Sequence, residues 1–60
     1  RPEEIEGIFR WMYDNVELFS DDEEKQDQAV VIIKQGMVDH TLVVDPEINL
    51  AATLIKLARL

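Results

Sequence analysis

Read for the spacing of its apolar positions, the chain divides into three segments of helical character. In the first, from about Pro2 to Phe19, apolar residues fall at Ile5, Ile8, Phe9, Met12, Val16 and Phe19. Recurrence at i, i+3, i+4 and i+7 is the signature of one helix face. Pro2 suits the first turn, where its missing N–H is not needed. Glu3, Glu4 and Glu6 suit the positive end of the helix dipole. Glu6 with Arg10, and Arg10 with Asp14, have the i, i+4 spacing of surface ion pairs. Trp11 and Leu18 fall on a flank of the stripe and widen it beyond what one core face requires.

The second segment, residues 21–35, opens with Ser20-Asp21-Asp22-Glu23. This matches a capping box, with Ser20 as N-cap and Glu23 reaching back to it. At its other end Lys34 suits the negative helix pole, and Gly36 reads as the left-handed residue that ends a helix, with Met37 folding back onto the last turn. Between them, Ala29 to Ile33 is apolar on every side. The β-branched run Val30-Val31-Ile32-Ile33 and the segment Thr41 to Val44 admit a competing reading, a hairpin around Gly36 in an α-β-β-α fold. The two end signals favour helix.

Residues 37–44 read as a connector, with Leu42, Val43 and Val44 tucked into the core. Asp45-Pro46-Glu47 opens the third segment, residues 46–59, with Asp45 as N-cap and Pro46 at the first helical position. It carries two apolar seams. Ile48, Ala51, Ile55 and Ala58 form one; Leu50, Leu54 and Leu57 form the other, with the spacing of a short heptad. Ala51 and Ala58 would admit a second helix at close range. The expected fold is all-α, a small three-helix domain spanning residues 1–60.

Composition sharpens this picture. Sixty residues make a small core, and with no cysteine there is no disulfide to reinforce it. The remaining routes to stability are a very efficient core or one shared between chains. Because 47% of the residues are hydrophobic, apolar material is in surplus. The surplus places a partner interface at Trp11, Leu18, Val31, Leu50, Leu54 and Leu57, and the expected function is a non-enzymatic, homodimerising helical interaction module. Exposed apolar patches of several hundred Å² are uncommon on soluble monomers.

The formal net charge is −7, from 13 acids against six bases. Nucleic-acid affinity comes mainly from Lys and Arg neutralising phosphates. The balance therefore excludes nucleic acid and anionic membrane surfaces as partners. A helix-turn-helix DNA reader fits three helices in outline, but the third segment carries only Lys56 and Arg59, both at its end. Asp21, Asp22, Glu24 and Asp27 form an acidic face, and an alternative function follows from it: a small acidic regulator docking on the basic site of a partner protein. No apolar run approaches the length of a membrane span. No leader-like segment opens the chain, which begins Arg1-Pro2 without methionine, compatible with a segment of a longer protein. Absence of cysteine fits a reducing, intracellular (cytoplasmic or nuclear) setting.

The residues that carry chemistry are sparse. His40 is the only histidine and Ser20 the only serine, so no nucleophile–base–orienter set and no His- or Cys-based metal site can be assembled. His40 is expected in a loop, bonded to backbone or exposed. The acidic run 21–27 lacks the central glycine of a calcium loop. Gly7 and Gly36 cannot build a phosphate loop. No cofactor, catalytic residue or metal is expected.

Overall fold

A computed structural model describes all residues 1–60. The chain is all-helical: α1 (Pro2–Asp14), a short 3-10 turn (Val16–Leu18), α2 (Glu23–His40) and α3 (Pro46–Ala58). No strand forms, and the hairpin alternative is ruled out: Val30–Ile33 lie inside α2. The molecule measures 33 × 18 × 14 Å.

The core is small and centred on α1 and α2. Ile5, Phe9 and Met12 from α1 meet Ala29 and Ile33 from α2 and Leu57 from α3. Phe9 is fully enclosed. Val16, Phe19, Ile32, Leu50 and Leu60 pack around this centre. The apolar stripe of the first segment thus reaches the core except at Ile8, which stays exposed, and the helix does not run to Phe19. It stops at Asp14, where the Asn15 side chain donates to the Trp11 carbonyl at 2.9 Å. The tighter 3-10 turn then carries Val16 and Phe19 onto the core.

The start of α2 also differs from the capping-box reading. Asp22, not Ser20, is the N-cap, and its Oδ1 accepts from the Glu24 amide at 3.0 Å. Ser20 sits two residues earlier. Its hydroxyl accepts from the Asp22 amide, and its carbonyl accepts from Gln26 Nε2 at 2.7 Å. A run of Ser, Asp and Asp offers several competent caps, and sequence spacing alone picked the wrong one.

Nor does α2 end at Gly36. It continues to His40, and no glycine adopts positive φ. At Gly36 side chains from both α1 and α3 close on the α2 backbone. A Cβ built there would lie 2.5 Å from Phe9 Cε1 and 2.7 Å from Thr53 Oγ1. The glycine is required by packing, not by a left-handed turn. The connector is accordingly shorter, and Leu42, Val43 and Val44 do not enter the core; Val44 is fully exposed. The opening of α3 is as read: Asp45 Oδ1 accepts from the Glu47 and Ile48 amides at 3.0 and 3.3 Å, with Pro46 at the first position.

Candidate protein-interaction surface

The buried side of α3 is defined by an unexpected set of residues. Asn49 Nδ2 donates to the Gly36 carbonyl at 3.0 Å, and Thr53 Oγ1 donates to the Asn49 carbonyl at 2.9 Å. With their polar atoms satisfied, Asn49 and Thr53 turn inward alongside Leu57. The opposite side of the helix is then fixed by its 100° per residue advance. Ile48, Ala51, Ile55 and Ala58 point away from the body of the molecule, and all four are exposed, Ile48 to 68% and Ile55 to 54%.

This moves the outward face from the leucine seam to its neighbour. Of the residues expected at an interface, Leu57 is a core residue, only 5% exposed, and Leu50 is half-buried against the core. Leu54, at the edge of the outer face, is exposed. Sequence reasoning named the Ile48–Ala58 seam but assigned the interface to the leucines. It gave Asn49 and Thr53 no role, because their hydrogen bonds cannot be seen in hydropathy.

Trp11, Leu18 and Val31 are exposed as expected, but they do not gather into one patch. Trp11 lies on a flank of α1 and Leu18 on the 3-10 turn. Val31 sits on the side of α2 opposite Ile33, Gly36 and His40, with Val38 two turns further along. Tyr13 occupies the other flank of α1, where the Arg10 guanidinium stands 5.4 Å from its ring centroid. Together with Val30, Ile33, Lys34 and Met37 they line an open groove of about 340 Å³ between α1 and α2. Arg10 is also paired with Asp14 at 3.1 Å, as the spacing predicts.

The acidic face is present as a surface. Asp21, Asp22, Glu24 and Asp27 are all exposed, and none is ion-paired. Asp22 is committed to capping α2.

His40 is the larger surprise. It ends α2 as a buried residue instead of standing in a loop. Its Nε2 faces Glu6 Oε1 at 3.5 Å, so Glu6 is turned towards α2 and not towards Arg10. Its ring meets Phe9 edge-on at 6.1 Å between centroids. Nδ1 is enclosed with no hydrogen-bond partner. The imidazole serves here largely as a filler of the gap beside Phe9. No three His, Asp or Glu side chains converge on one point, and no helix is long and apolar enough to cross a membrane.

Comparison with known protein families, curated proteins and solved structures gives no match to this chain.

Proposed function

We propose that this chain is a non-enzymatic helical interaction module that homodimerises through an apolar helix face. The observation that carries this reading is the outer side of α3. Ile48, Ala51, Ile55 and Ala58 present nearly three helical turns of hydrocarbon to solvent, with Leu54 beside them. Covering an apolar face of this kind is the ordinary driving force of association.

The test is molar mass in solution by light scattering over a range of concentrations. The wild-type chain is expected as a dimer at high concentration. Ile55→Asp is expected to be monomeric with its helical circular dichroism intact, since the altered side chain faces away from the core. A wild-type chain that remains monomeric throughout, or an Ile55→Asp variant that dimerises as well as wild type, overturns the proposal.

The unpaired acids Asp21, Glu24 and Asp27 favour a second reading, in which the module docks on a basic site of another protein. That binding would weaken steeply with added salt. An affinity indifferent to ionic strength would exclude it.

A further inference from the structure

We infer that the second copy binds antiparallel to the first, α3 against α3, about a twofold axis that crosses the outer face of α3 at the level of Thr53. This rests on the self-association proposed above and specifies its geometry.

Charge selects α3 as the meeting place. Residues 46–60 contain one acid, Glu47, and two bases, Lys56 and Arg59. The other forty-five residues hold twelve acids and four bases. Two copies of so acidic a chain repel each other on most approaches. The outer α3 face is a long surface on which they meet with Glu47 as its only acid. The same balance disfavours a basic partner there, because the cations of the helix lie at its end.

The direction follows from the order of residues along the face. In an antiparallel pair centred near Thr53, Ile48 comes level with the partner's Ala58, and Ile55 with the partner's Ala51. Each branched side chain then lies beside a methyl group and fills the space that the alanine leaves, the size alternation that lets facing helices interdigitate. At both rims Glu47 comes level with the partner's Arg59, giving two symmetric opposite-charge pairs. A parallel pair would set Ile48 on Ile48, Ile55 on Ile55, and Glu47 on Glu47. The pattern is self-complementary under a twofold axis, the property a closed dimer requires. Both Glu47 and Arg59 are exposed and free of intramolecular ion pairs.

The chain has no cysteine, so single cysteines can be introduced without background. Glu47→Cys and Arg59→Cys would be treated with a short bis-maleimide, each alone and as an equimolar mixture, with Val31→Cys as an off-face control. The two positions are about 18 Å apart along α3 at 1.5 Å per residue. The antiparallel pair therefore cross-links in the mixture, as a hetero-adduct, and little in either variant alone. A second measurement keeps the charge argument separate: Glu47→Arg should weaken dimerisation about threefold or more, and adding Arg59→Glu should restore it.

Rapid adducts from Glu47→Cys alone mean a parallel pair and overturn the inference. A wild-type dimer that gives no adduct with any α3 cysteine, or links best through Val31→Cys, overturns it while leaving self-association standing. A wild-type chain that is monomeric by light scattering removes both.

Discussion

At the scale of single residues, the two glycines show how different the same amino acid can be inside a helix. A Cβ on Gly7 meets nothing within 4 Å, whereas one on Gly36 meets both Phe9 and Thr53 at under 3 Å. Gly7→Ala should therefore raise stability by about 0.5–1 kcal/mol, through the helix propensity gained at an open site. Gly36→Ala should lower it by about 1–3 kcal/mol, because a fully enclosed ring and a neighbouring helix must move to make room. Urea denaturation of both variants checks the pair: a common sign would refute the placement of α2 against α1. Neither role was legible in the sequence. Gly36 sits just after Lys34 and before Met37, the usual setting of a helix stop, and only the distance to Phe9 reveals a packing site. His40 was hidden likewise. A polar side chain enters the core here beside an aromatic edge and a carboxylate from another helix, and hydropathy does not encode either neighbour.

At the scale of helices, the sequence carried element type far better than element ends. The stripe Ile5, Phe9 and Met12 and the Asp45-Pro46 start of α3 were readable because periodicity and capping are local. The β-branched run of α2 stayed helical because Ala29, Ile33, Gly36 and His40 give it a stripe that α1 and α3 cover, and tertiary burial outweighs intrinsic strand preference. The start of α2 was misread because Ser20 and Asp22 compete for one cap. That competition has a measurable outcome. Asp22→Ala should cost about 1 kcal/mol by removing the acceptor for the Glu24 amide. Ser20→Ala should cost less, since its hydroxyl meets only the Asp22 amide, outside the helix. The reverse order in thermal denaturation would restore Ser20 as the cap. The seams of α3 follow the same logic. Two polar residues with satisfied hydrogen bonds rotated the helix by roughly a quarter turn from the orientation that leucine spacing suggested.

At the scale of the whole molecule, association and stability are linked. One face of a thirteen-residue helix offers less than the roughly 800 Å² per partner of a standard stable interface. The proposed dimer should therefore exchange readily with monomer. Anything that binds the folded state raises apparent stability by mass action. The melting temperature should accordingly rise with protein concentration for wild type and stay flat for Ile55→Asp. Equal, concentration-independent melting of the two would separate folding from assembly altogether. The excess of apolar surface was legible in composition alone. Which face carries it was not, because that depends on how each helix is turned about its own axis.

The close approach at Gly36 bears on how the three helices depend on one another. One bare backbone position receives a ring from α1 and a hydroxyl from α3, and the same residue's carbonyl takes the Asn49 amide. The gap is thus a shared keyhole, and α1 and α3 each complete its walls for the other. If α3 departs, the Phe9 ring is left against water and α2 loses two supports at one point. A helical hairpin of α1 and α2 is consequently a poor resting place for the chain, and its folding belongs to three helices together rather than to any two.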